Sequence, residues 1–372
     1  MKRTTNFQLP LFLLLSGIVF ARSESATDKL RDGDKAIAGG QHTAAVRHYS
    51  EAIELDPKSP LIFTKRAAAY VGLKKFQQAI EDLTQAILLD AKNLQALLNR
   101  GKVHKSLGSF DQAKADFDAV LELKPGHKSA SQELASLFRG RDSFLAAKRH
   151  IEIQDFHGAQ LKLHTAATLL PDCPGVQLLQ AELLFKQGQH ERAVADLGKV
   201  LKADPGNIEA LMMRGWSYLH LGDEETGTRH FREILRYDPE HSAAKQAHKK
   251  LKSISKMRAK AQEAMDARDY RSAESNLLEA VQVEPTLLQI NLPMIRELCR
   301  IRTLMGQGQG ALDSCDSALR HNGEFLDCAI NKVKALMKLE RFDEAANFAR
   351  ALAQKGTDRS TRCLGRRSGR SR

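Results

Sequence analysis

Five cysteines, thirteen histidines and one glycine-rich run are the residues of this 372-residue chain that could do more than pack. A redox pair or a structural metal site needs ligands at short fixed spacing. No Cys-x-x-Cys occurs, and the histidines follow no ligand pattern. Gly306-Gln307-Gly308-Gln309-Gly310 has the glycines of a phosphate loop, but no strand precedes it and it falls where a turn between helices is expected. His190-Glu191 reads as solvated surface. No catalytic residue, metal site or cofactor is therefore expected, and the chain reads as a binding protein rather than an enzyme.

The two ends carry signals of their own. Lys2 and Arg3 precede a twelve-residue apolar stretch, Leu9–Phe20, and small residues follow at Ala21, Ser23, Ser25 and Ala26. As a helix that stretch would reach roughly 18 Å, short of a bilayer core of about 30 Å. Residues 1–25 are expected to be a secretory signal peptide, cleaved near Ala21–Ser25, with no membrane span left afterwards. Residues 360–372 are arginine-rich and poor in apolar side chains, and are expected to be a disordered basic tail. The formal net charge is +12, of which +2 lies in residues 1–25 and +5 in residues 356–372, leaving +5 for the body. No run of Arg and Lys interleaved with aromatics is visible, and no nucleic-acid partner is expected.

Between the ends the chain repeats. Pro57, Ala91 and Pro125 are 34 residues apart, as are Pro171, Pro205 and Pro239. Each closes an amphipathic stretch, where a proline ends a helix because it has no N–H to donate. Within each unit, position 8 is small (Gly33, Ala67, Gly101, Ala147, Ala181, Gly215, Ala261). Position 20 is Ala45, Ala79, Ala113, Ala159, Ala193, Gly227 and Ala273, and position 24 is large and apolar (Tyr49, Leu83, Phe117, Leu163, Leu197, Phe231, Leu277). Small residues let two antiparallel helices approach, and the large one fills the gap beside them. Units at 292–325 and 326–359 follow the pattern more loosely, which makes nine. The gaps Pro125–Pro171 and Pro239–Pro285 are both one period plus twelve. They divide the array into three groups of three, at 26–127, 140–241 and 254–359, joined by helical spacers at 128–139 and 242–253.

Period, small positions and helix-ending prolines together resemble the tetratricopeptide-repeat (TPR) family, which implies an all-α solenoid of helix-turn-helix units. Cys299 and Cys315 occupy positions 8 and 24 of one unit, which face each other across the hairpin. They suit either a disulfide or two buried thiols, and the oxidising compartment implied by the leader favours the disulfide. Cys173, Cys328 and Cys363 have no evident partner. Some TPR domains grip terminal carboxylates with Lys and Asn at set positions. Those positions hold Leu30, Asp34, Lys65, Gln95 and Asn99 here, so that grip is not expected.

The leader, nine units in threes and the cysteine pair in the eighth are similar to the J-domain co-chaperones of the endoplasmic reticulum. These are also called inhibitors of the double-stranded-RNA-activated protein kinase. Segments 33–57 (GDKAIAGGQHTAAVRHYSEAIELDP) and 308–319 (GQGALDSCDSAL) carry the likeness. The resemblance implies binding of unfolded or misfolded polypeptides in the unfolded-protein response, transfer to the lumenal Hsp70, and restraint of a kinase acting on eIF2 alpha. A J domain needs a His-Pro-Asp triplet, and the sequence has none, so stimulation of Hsp70 does not carry over. Leu30, Ile37, Leu61, Val71 and Leu98, on the first helices of the first three units, are the candidate client-binding side chains.

Overall fold

The computed structural model describes residues 25–354. All of the expected leader but Ser25, the basic tail and Cys363 lie outside them. Among the described residues there are helices and no strands. In chain order they are α1 Ala26–Ala38, α2 His42–Leu55, α3 Pro60–Gly72, α4 Phe76–Leu89, α5 Leu94–Leu107, α6 Phe110–Leu123, α7 Lys128–Glu152, α8 Phe156–Leu169 and α9 Pro174–Lys186. They continue with α10 His190–Ala203, α11 Ile208–His220, α12 Glu224–Tyr237, α13 Ser242–Asp266, α14 Tyr270–Val283, α15 Leu288–Leu304, α16 Gly308–His321 and α17 Leu326–Lys338, and residues 342–354 are helical too. The all-α repeat architecture read from the sequence is the architecture observed.

The hairpin turns fix the register. Gly40, Lys74, Gly108, Gln154, Gly188, Gly222, Arg268, Gly306 and Glu340 all have a left-handed backbone, with φ between 55° and 89°. Each falls at position 15 of its unit, so nine units share one turn. Five of the nine are glycine, which adopts this conformation freely. The other four hold it at a cost, because a Cβ crowds the following carbonyl. Starts are marked as well. Ser25 and Asp28 form a reciprocal capping box on α1, and Asn93, Asn207, Asp223 and Asp269 accept from backbone N–H groups of α5, α11, α12 and α14.

Positions 8 and 24 behave as one packing unit of roughly constant volume. Where position 8 is glycine, position 24 is aromatic. A Cβ added to Gly33 would lie 2.3 Å from the Tyr49 ring, one on Gly101 2.7 Å from Phe117, and one on Gly215 2.8 Å from Phe231. Where position 8 is alanine, position 24 is leucine, as in Ala67–Leu83, Ala181–Leu197 and Ala261–Leu277, each pair sharing one core cluster. Overfilling such a site costs about 1–3 kcal/mol, so the two positions change together. The alanines at position 20 are buried throughout.

Residues 128–139 and 242–253 lie inside α7 and α13, each 25 residues long. Both helices open on a histidine: His127 Nδ1 accepts from Ala130 N–H and His241 Nδ1 from Ala244 N–H, each at 3.2 Å. In the eighth unit α15 starts at Leu288, four residues before the expected boundary at 292, and contains Pro293. Contacts group the chain into two compact bodies. Among the described residues the first comprises 25–146 and 162–176, the second 147–161 and 177–354.

Candidate peptide-binding groove

In the first body, α1, α3 and α5 are the first helices of three successive hairpins. Leu61 and Val71 of α3 are 52% and 38% exposed, a large fraction for apolar side chains. Val71 also lines a cavity of about 190 Å³ with Ala68, Phe76, Asn99, Lys102 and Val103. Leu30 and Ile37 are half-buried against the cluster of Ala36, Ala45, Tyr49 and Ala52. Leu98 departs from expectation. It is only 5% exposed and packs with Phe117, Val120 and Leu137. Position 5 of the third unit meets the side chains of α6 and α7, so Leu98 belongs to the core and not to an open surface. The structure thus leaves Leu61 and Val71 open, Leu30 and Ile37 at the margin, and takes Leu98 away.

The charges beside these residues are spoken for. Lys65 Nζ donates to both carboxylate oxygens of Asp34, at 2.7 and 2.5 Å, and the Tyr49 hydroxyl donates to the same carboxylate at 2.8 Å. Burial first, and that carboxylate second, push the Tyr49 hydroxyl well above the ordinary phenol range. Lys105 Nζ reaches Glu133 at 2.9 Å and also donates to Ser136, while Lys102 is 3.7 Å from Glu133. Gln95 donates to Asn99 at 2.8 Å. Lysines that are paired internally present little free charge to a carboxylate ligand, so the surface offers mainly apolar contact.

The hairpins α3–α4 and α5–α6 also hold a polar ladder that the sequence reading missed. Arg66 donates to both oxygens of Asp82, at 2.7 and 2.8 Å, and to Ser50 at 3.0 Å. One unit later Arg100 repeats the pattern with Asp116, the closest contact being 2.7 Å, and with Thr84 at 3.2 Å. Asp82 and Asp116 are buried. The signal was available as Arg at position 7 and Asp at position 23 in two successive units.

In the second body Cys299 and Cys315 have their sulfurs 2.06 Å apart and their Cα atoms 4.9 Å apart, and they fill the site that an Ala–Leu pair fills elsewhere. Closing a loop of this length stabilises by about 3 kcal/mol in the chain-entropy account. Cys328 sits buried in the same cluster and Cys173 is buried in the first body, both as free thiols. Among the described residues no cluster of three His, Cys, Asp or Glu could hold a metal, and no helix is long and apolar enough to cross a membrane.

Comparison with known proteins settles the family. Tetratricopeptide-repeat profiles match residues 33–74, 62–93, 94–127, 144–208 and 184–251, which together span more than half of the chain. The chain is a tetratricopeptide-repeat protein. Among curated TPR relatives it is 29% identical over 241 residues to "DnaJ protein P58IPK homolog A" of rice, covering 64% of this chain and 51% of that protein. It is 28% identical over 296 residues to the Arabidopsis thaliana "DnaJ protein P58IPK homolog", covering 79% and 61%. The chain therefore spans only about half to three-fifths of the length of these relatives. The crystal structure of the P58(IPK) TPR domain superposes with a TM-score of 0.67 at 23% identity, over 93% of this chain and 99% of that one, a likeness of fold.

Proposed function

We propose that this TPR chain is a non-enzymatic co-chaperone-type scaffold that holds unfolded or misfolded polypeptides in the groove of its first three repeats. The observation that carries the reading is the pairing of open apolar side chains, Leu61 and Val71, with lysines neutralised by Asp34 and Glu133. A groove of that character suits extended chains with little sequence preference, whose apolar side chains are its natural ligands. The likeness to DnaJ-type relatives supports the co-chaperone part of the reading.

The leader-like N-terminus extends the proposal to the lumen of the endoplasmic reticulum and to the unfolded-protein response. The lumenal Hsp70 is then the natural recipient of a held client, and an eIF2 alpha kinase is a further partner consistent with the resemblance. Aggregation suppression tests the central part. Whole protein added to a denatured model client at near-stoichiometric ratio is expected to suppress light scattering. Unchanged scattering at a severalfold excess would replace the holder with an adaptor for a folded partner.

A further inference from the structure

The positive charge of the body is concentrated in one place. Residues 229–260 contain ten Arg and Lys against three Asp and Glu, an excess of +7. Residues 26–355 as a whole carry only +5, so the remainder of the body is slightly acidic. Most of the excess lies on α13. Its Ala244, Ala247, Leu251, Ile254 and Ala261 face the core. At 100° per residue, Lys245, Lys249, Lys252, Lys256 and Lys260 fall within about 80° of one another on the opposite side, over roughly 22 Å of helix. All five are exposed.

The neighbouring helix continues the patch. Arg229, Arg232 and Arg236, at spacings of three and four, are exposed on α12, and Arg232 and Lys252 line one depression of about 570 Å³. Of the acids nearby, Glu240 pairs with Lys245, Glu284 with Lys250 and Glu224 with Arg258, at 2.7, 2.9 and 2.5 Å, while Glu225 lines the same depression as Arg232 and Lys252. Lys249, Lys252, Lys256 and Lys260 make no ion pair among the described residues. A solvated face that only keeps a protein soluble mixes both signs. From Lys245 to Lys260 this one holds a single sign along a straight line, which the exposed Glu263 ends one turn later.

We infer that the exposed face of α13, with the arginines of α12, is a second docking surface of this protein, for an acidic polypeptide segment. The lysines are spaced 3–4 residues apart, or roughly 4.5–6 Å along the axis. Side chains on one face of an extended chain recur every 6.6 Å or so, close enough for alternate Asp and Glu residues to meet successive lysines. No aromatic residue occurs on α13, and Tyr237 at the end of α12 is a single exposed ring, short of the successive stacking platforms that a single-stranded nucleic acid requires. No large apolar side chain is exposed on it for insertion into a bilayer. The surface lies in the second body and stands independently of the groove formed by α1, α3 and α5.

The test is fluorescence anisotropy with a labelled twenty-residue Glu/Ser peptide and the whole chain at low salt. The peptide is expected to bind, and binding is expected to weaken as salt screens the charges. The quadruple variant Lys249→Gln, Lys252→Gln, Lys256→Gln and Lys260→Gln should lose about tenfold or more in affinity, since exposed pairs are individually weak and act here as a row. Its helical circular dichroism should be unchanged, and the matching Lys→Arg variant should bind as the parent does. Absence of peptide binding, or equal binding by the quadruple Gln variant, would overturn the inference. So would tighter, lysine-dependent binding of an oligothymidine or of phosphatidylserine vesicles than of the peptide, which would assign the face to nucleic acid or membrane instead.

Discussion

Arg66 and Arg100 in the first body each meet a buried aspartate, Asp82 or Asp116, across their hairpin. The same two positions of the α11–α12 hairpin in the second body hold Arg214 and His230, and His230 is kept below the usual imidazole range by burial first and by Arg214 second. The hairpins are built alike all the same, with Gly101–Phe117 in one body and Gly215–Phe231 in the other packed at nearly the same distance. The repeat therefore depends on volume at positions 8, 20 and 24 and on the turn at position 15. The polar positions 7 and 23 are free to differ. The hairpins α3–α4 and α5–α6 hold a charged pair inside, α11–α12 a neutral ring and α15–α16 a disulfide.

The largest expected effect that would break this contrast is Asp116→Ala. It strands the Arg100 guanidinium with only Thr84 as a polar partner and should destabilise the first body by about 3–5 kcal/mol. Hydrogen exchange of the whole chain reads it: amides of α5 and α6 should lose protection while those of α11 and α12 keep theirs. Equal loss in both bodies, or a cost below about 1 kcal/mol, would show that the ladder does not hold the hairpins.

Acid should act on the other body, with a smaller effect. His190, His220 and His230 are all held below the ordinary imidazole range, chiefly by burial. They are neutral when folded, whereas the unfolded chain takes up protons near pH 6.5. Their contribution is fully present above that value and is lost as pH falls from about 6.5 toward their folded values. In the first body only His104 is shifted in this direction among the described residues, and there Asp116 opposes the burial. Lowering the pH from 7.5 to 5.5 should therefore speed exchange in α10–α12 before α3–α6. The reverse order would remove the distinction.

The fold was largely legible, and the reason is physical. Size patterns at positions 8, 20 and 24 are written directly in residue types, and glycine at Gly40, Gly108, Gly188, Gly222 and Gly306 marks five turns. Lys74, Gln154, Arg268 and Glu340 take the same left-handed turn without any mark in their type, because the hairpin imposes it. The groove was legible only in part. Leu61, Val71 and Leu98 are alike as residues, yet Leu98 is covered by α6 and α7, a fact of tertiary packing that helix spacing does not contain. The lysine stripe was hidden differently, since the charge was counted over the whole body, where acids elsewhere cancel it.

The groove is the central claim, and one measurement tests it most directly: the affinity of the Leu61→Ser, Val71→Ser double variant for a denatured model client. Both side chains are exposed, so far-UV circular dichroism should stay that of the parent. Removing the apolar surface they offer should weaken client binding by about tenfold, the worth of roughly one buried apolar side chain. Parental affinity with an intact helical spectrum would contradict the account and move the client surface elsewhere on the array.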